Sequence, residues 1–166
     1  MAEDELIERL RNFSADHLSH VPHAGAIGMR PVNAARGKCT LMVPYQDKLV
    51  GNPATGVVHG GVITSLLDNA SGAATQFALD EPTPIATLDL RIDYLKPATP
   101  GEDIFGDAHC YKVTRTIAFV RGVAYHTSPE DPIATSVATF MLSANRGPVP
   151  TTASVAAAVA EGKGGK

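Results

Sequence analysis

The sequence predicts an α+β domain in which one curved antiparallel sheet wraps a long helix, and three observations predict it. One uninterrupted helical stretch, residues 59–79, follows two short strand-like segments and precedes four more. Those later segments are joined by connections too short for a parallel return, which needs a crossover of about a dozen residues or more. The 166 residues suit a single domain, long enough to bury a core without staples.

In chain order, Leu6, Ile7, Leu10, Phe13 and Leu18 recur at helical spacing with Glu5, Glu8, Arg9 and Arg11 between them. Residues 3–18 therefore read as an amphipathic helix, a segment that Pro22 closes. Residues 26–33 and 37–44 read as two strands joined through Arg36-Gly37, while Gly51, Pro53 and Gly56 mark residues 46–58 as loop. In the long helix, steps of about 100° place Val62, Ile63, Leu66, Leu67, Ala70, Ala73, Ala74, Phe77 and Ala78 within an arc of ~160°, the face for a core. The other face holds Thr64, Ser65, Asp68, Asn69, Ser71, Gly72, Thr75 and Gln76, with Asp68 its single charge. A solvated face normally carries Lys, Glu and Arg, so this one is expected to be covered, most simply by another chain.

Residues 86–94 alternate strictly, with Ala86, Leu88, Leu90, Ile92 and Tyr94 on one side and Thr87, Asp89, Arg91 and Asp93 on the other, the pattern of a half-buried strand. Residues 102–113, 117–127 and 132–142 give three more strands, separated by Thr114-Arg115-Thr116 and by the stretch from Ser128 to Pro132. The expected organisation is an N-terminal helix and connector over 1–24, the domain over 25–146, and a fraying tail over 147–166 rich in Ala, Gly, Pro and Thr.

Composition removes several function classes. Lys and Arg number 14 against 17 Asp and Glu, a net charge of -3 without a basic stripe, so nucleic acid is not expected as a partner. Trp is absent and aromatics make up 5%, which argues against a platform for stacking bases. No apolar run approaches the roughly 18–20 residues that cross a bilayer. The opening Met-Ala-Glu-Asp-Glu is acidic where a signal peptide is basic, so no membrane contact and a cytoplasmic location are expected. Cys39 and Cys110 lack the spacing of a metal ribbon and read as small buried hydrophobes. His17, His20 and His23 recur every third residue, but Pro22 breaks the helix that would align them, so a solvated connector is expected and no metal. The phosphate-loop, dinucleotide-binding and serine-hydrolase motifs are all missing.

The informative stretch is residues 51–72, GNPATGVVHGGVITSLLDNASG. A covered Asp68 must be paired, protonated or catalytic, because an unpaired carboxylate is costly to bury; a polar position at a wet interface is the plainer alternative. Gly60 and Gly61 at the helix start permit close packing. They equally leave the free N–H groups of the first turn open to a ligand oxygen, with the helix dipole behind them. His59 and Asn52 read as a core histidine and a turn residue or as parts of that site.

The run N-P-x-T-G-V-V-H-G-G-V-I-x-x-L-L-D-N-A-x-G, followed by A-T-L-D-L-R-I-D-Y-L-K-P-A, resembles the PaaI-like branch of the hotdog-fold acyl-CoA thioesterases over residues 25–142. The resemblance implies a hotdog fold and hydrolysis of an acyl-CoA to a free acid and CoA. It implies Asp68 as base or nucleophile, Gly60 as backbone donor to the thioester oxygen, and His59 and Asn52 as holders of the thioester or the water. It further implies that Thr87, where the family often has Ser, orients the water, and that Gly61, Arg115 and Arg146 contact the substrate. CoA enters as part of the substrate, and no cofactor is expected. Hydrolysis of this kind needs a base or nucleophile and an oxyanion site, whereas a thiol of pKa about 8.5 leaves with little help. A hotdog hydratase or dehydratase and a non-catalytic acyl-CoA-binding module are the alternatives; Asp68 on the helix argues against the latter.

Helix geometry adds an expectation of its own. Gly60 and Asp68 lie eight residues apart, roughly 12 Å along one axis, whereas a thioester carbonyl and its attacking water lie ~3 Å apart. Two antiparallel helices around a two-fold axis could supply both groups, so a homodimer, or a dimer of dimers, is expected to assemble the site.

Overall fold

The computed structural model describes residues 21–143. The helix expected over 3–18, His17, His20, Arg146 and the tail expected from 147 lie outside the described residues. Within them, the order is α1 (Pro22–Ala26), β1 (Arg30–Ala35), β2 (Lys38–Val43), a 3-10 turn (Asp47–Leu49), β3 (Val50–Asn52), β4 (Val57–Val58), α2 (Gly60–Ala78), β5 (Ile85–Tyr94), β6 (Ile104–Val113), β7 (Ile117–Tyr125) and β8 (Ala134–Leu142). Six strands form one antiparallel sheet in the order β1-β2-β6-β7-β8-β5, with α2 laid across it, and β3 and β4 form a separate hairpin. No helix among the described residues is long and apolar enough to cross a membrane.

The apolar stripe of α2 packs as the periodicity predicts: Val62, Ile63, Leu66, Leu67, Ala70, Ala73, Ala74 and Phe77 are buried, and Ala78 is half-buried. Beneath them lie Leu41, Val43, Ile104, Val120 and Phe140 of the sheet. The helix sits deep because β6 carries glycine under it. A Cβ at Gly106 would stand 2.8 Å from Leu66 Cγ, closer than packed atoms come.

The structure corrects the sequence reading in five places, the last of them in β5. Pro22 opens α1 instead of closing a segment, since proline at a first helical position loses no intrahelical bond. The strand expected from residue 26 begins at Arg30, because Gly28, at φ 71°, turns the chain first. Residues 46–58 hold the 3-10 turn and the β3–β4 hairpin instead of loop alone. Ser71 and Thr75 are buried within this chain, not on a face awaiting another; they flank the apolar stripe, and the Thr75 hydroxyl donates to the Ser71 carbonyl one turn back at 3.0 Å.

β5 departs furthest from its pattern. Its pairing with β8 runs Thr87↔Phe140 and then Asp89↔Thr139, leaving Leu88 as an extra, unpaired residue. Such a bulge inverts the alternation beyond it. Ile85 and Thr87 pair with the inward-facing Leu142 and Phe140, and after the bulge Leu90, Ile92 and Tyr94 pair with Ala138, Ser136 and Ala134, which also face inward. The helix-facing set is therefore not the one that strict period two assigns: Ala86 turns outward, and Leu88 is 53% exposed.

Cys39 and Cys110 are buried and free. Burial, reinforced by the charge of Asp107, pushes the Cys39 thiol up to about 12, and burial raises Cys110 as well. Because the thiolate is the reactive form, the native chain at about pH 8 should take up no aromatic disulfide reagent, whereas the urea-unfolded chain should be labelled at both positions. Fast labelling of either cysteine in native protein would contradict this burial.

Candidate active site

The first turn of α2 is built by the hairpin before it. The His59 N–H donates to the Leu49 carbonyl at 2.9 Å, and a Cβ at Gly51 would stand 2.8 Å from His59 Cα, so β3 lies directly against this residue. His59 is the N-cap: its Nδ1 accepts from the Gly61 N–H at 2.9 Å, and its carbonyl accepts from the Val62 N–H at 2.9 Å. An accepting Nδ1 carries no hydrogen, so the neutral ring holds its proton on Nε2. These bonds leave the Gly60 N–H as the first-turn donor without a protein partner among the described residues.

The Gly60 carbonyl is also held. It accepts from the Tyr94 hydroxyl at 2.9 Å and from the Thr64 hydroxyl at 3.3 Å, and those two hydroxyls are 2.9 Å apart. Two turns further along α2, half-buried Asp68 accepts from the Thr87 hydroxyl on Oδ1 at 3.0 Å. Its other oxygen has no protein partner among the described residues. The lysine and arginine ion pairs of those residues lie elsewhere, at Arg36–Asp80, Arg91–Asp93 and Lys96–Asp131. Among the described residues Asp68 is thus a carboxyl group beside one hydroxyl and no counter-ion.

The stripe around Asp68 is tied to α1. His23 Nε2 lies 2.9 Å from the Ser65 hydroxyl, Ser65 donates to the Gly61 carbonyl at 2.9 Å, and Asn69 donates to the Ser65 carbonyl at 2.9 Å. Among the described residues no group of three His, Cys, Asp or Glu is placed to hold a metal.

The expected residues thus fall into two groups on one helix. Asp68 and Thr87 form one, and His59, Gly60 and Gly61 form the other at the helix start, joined by Tyr94 and Thr64. Asn52 lies in the adjoining hairpin turn, where its side-chain oxygen accepts from the Ala54 N–H at 3.1 Å and its carbonyl from those of Thr55 and Gly56. Its acceptor is therefore occupied by the turn, which leaves its amide group for other contacts. Arg115 is exposed in the β6–β7 turn, at the end of the sheet where Leu142 bonds Thr116 and Ser143 bonds Pro84. That places it near the start of β5, on the Asp68 side and away from Gly60. Tyr94 and Thr64 were not singled out from the sequence; the bulge hides that Tyr94 shares a face with Thr87.

A long helix laid in an antiparallel sheet defines the hotdog class. A profile of the thioesterase superfamily matches residues 55–133. The chain is 31% identical over 136 residues to the medium/long-chain acyl-CoA thioesterase YigI of Escherichia coli K12, a match covering 74% of this chain and 86% of that protein. A further curated relative, 37% identical over 94 residues, is spanned over only 61% of its length. Among solved structures, a Pseudomonas aeruginosa protein shares 44% identity at a TM-score of 0.71, covering 81% of this chain and 96% of that one. The phenylacetic acid degradation protein PaaI of Thermus thermophilus shares the fold at a TM-score of 0.64, with 22% identity over 72% of this chain and 97% of that one. The chain belongs to the thioesterase superfamily, a family of thioester hydrolases, and shares the hotdog fold of its structural neighbours.

The Thr87–Asp68 bond can be tested directly. Hydrogen bonds to charged groups contribute about 1.5–3 kcal/mol, so Thr87→Val should lower kcat for thioester hydrolysis roughly tenfold to a hundredfold. Thr87→Ser, which keeps the hydroxyl, should stay within a few-fold of the parent; equal rates for the Val variant and the parent would remove Thr87 from the site.

Proposed function

We propose that the protein is an acyl-CoA thioesterase, converting an acyl-CoA and water to the free acid and CoA. The observation that carries this reading is Asp68, bonded to Thr87 and without a counter-ion among the described residues, on a helix whose first turn leaves one N–H without a partner among them. Asp68 takes a proton from a water that attacks the thioester carbon, or attacks that carbon itself to give an anhydride that water then opens. Either way the carbonyl oxygen gains charge, and the Gly60 N–H at the positive end of the helix donates a hydrogen bond to that oxyanion. The carbon–sulfur bond then breaks, and CoA departs as a thiolate that takes up a proton. His59 and Asn52 flank the thioester, Gly61 allows its approach, and Arg115 with Arg146 meets the CoA phosphates.

The active form is a homodimer in the cytoplasm, able to pair again into a dimer of dimers. Three features support a shared site. Gly60 and Asp68 remain roughly 12 Å apart on the continuous helix. Thr64, Ser65, Asp68, Asn69 and Gly72 form a half-buried polar stripe along it. The third is β5, an edge strand, beside which Leu88, Tyr94 and Leu95 are more than half exposed. An unblocked edge with apolar side chains is a surface for another strand.

Asp68→Asn should lower kcat by about a hundredfold or more while acyl-CoA still binds, measured as free-thiol release beside calorimetric titration of a non-hydrolysable thioether analogue. Retention of most turnover would end the assignment. Gly60→Val should also be inactive, since its added carbons meet the Tyr94 hydroxyl, 3.3 Å from the Cβ position alone. Co-refolding Asp68→Ala chains with Gly60→Val chains makes about half the dimers mixed, each with one complete site, so about a quarter of the parent activity should return. If mixed dimers form and remain inactive, the site lies within one chain.

A further inference from the structure

Side chains seven residues apart on a regular strand point to opposite faces, because the repeat is two. Thr87 and Tyr94 are seven apart, yet both reach α2, one at Asp68 and the other at Gly60. The extra residue at Leu88 reverses the alternation between them. Bulges re-aim side chains in this way and are over-represented beside active sites. One edge strand therefore holds the helix at two points, and these are the two points that the proposed chemistry uses.

At the second point, Tyr94 holds the peptide that opens the helix. Glycine has more backbone freedom to lose than any other residue, and α2 starts with two of them. The peptide joining Gly60 to Gly61 is fixed at both ends, its carbonyl by the hydroxyls of Tyr94 and Thr64 and its N–H by His59 Nδ1. The phenol also lies directly over Gly60, its oxygen 3.3 Å from where a Cβ would stand.

We infer that Tyr94 is a positioning residue of the hydrolytic site: by fixing the Gly60–Gly61 peptide it aims the neighbouring Gly60 N–H at the thioester oxygen. The inference rests on Gly60 as the oxyanion donor. A preorganised donor acts where charge develops, so a looser one raises the barrier without weakening ground-state binding.

Tyr94→Phe removes the hydroxyl and keeps the ring. In the full-length protein, kcat should fall about five- to tenfold, the scale of one neutral hydrogen bond, with KM for the acyl-CoA unchanged. Amide exchange of Gly61, followed by NMR, should quicken in the same variant, while the central α2 amides of Ala70 and Ala73 keep their rates. A packing role alone would shift KM or stability and leave this split absent. Unchanged kcat, or unchanged Gly61 exchange, overturns the inference. If Gly60→Val is inactive while Tyr94→Phe is fully active, only the positioning role falls; if Gly60→Val hydrolyses thioesters normally, the reading of Gly60 falls first.

Discussion

The depth at which α2 sits on the sheet governs the rest of the molecule. Leu66 and Leu67 rest over Gly106 and Gly122, where a Cβ would come within 2.8 and 3.3 Å of them. Close packing makes that distance stiff, since an added methyl either displaces the helix or strains the strand. With α2 this low, a strand at the sheet's edge can reach its flank with side chains as short as threonine. The 3.0 Å Thr87–Asp68 bond depends on that depth, as does the reach of Tyr94 to Gly60. The apolar stripe is thus more than a source of burial; it sets the height at which the polar groups meet.

Much of this was legible because it follows from repeats. The 3.6-residue period placed α2 within a residue of its observed ends and identified the buried stripe; short connections predicted an all-antiparallel sheet. The single charge on the helix drew attention to Asp68, and the histidine and two glycines before it marked the first turn. What stayed hidden breaks a repeat. The bulge at Leu88 leaves no mark in a pattern that alternates perfectly through residue 94, because hydrophobicity reports the strand's own order and not its partner's count. Residues 46–58 carry turn residues, and a hairpin of three and two residues is too short to show alternation. Ser71 and Thr75 look like surface residues by type, yet the Thr75 hydroxyl, which bonds its own helix, can be buried at modest cost, while the small Ser71 hydroxyl is buried without a partner among the described residues.

The same break in pattern explains why the candidate residues are only partly legible in the sequence. Asp68, Gly60 and His59 stand on one helix, and their spacing could be read directly. Thr87 and Tyr94 lie on a strand, and which of them faces the helix depends on one unpaired residue. Strict alternation puts Tyr94 inward and Thr87 outward, so from periodicity alone the two are mutually exclusive. The structure admits both, at the expense of regular pairing at Leu88.

β5 also joins two properties that are usually separate. Its inward side chains hold both ends of the candidate site, while its outer edge has no neighbouring strand among the described residues. A partner strand added there would limit the motion of the strand that positions Asp68 and Gly60, because hydrogen bonding on both edges removes its freedom to fray. In the proposed dimer each chain would then contribute to catalysis twice, once by the group it places across the seam and once by steadying the strand that holds its neighbour's. The bulge suits that arrangement: it interrupts the edge at Leu88, leaving residues 89–94 as the regular stretch for a two-fold pairing. The bulge thereby shortens the regular stretch that an otherwise open edge strand offers for pairing.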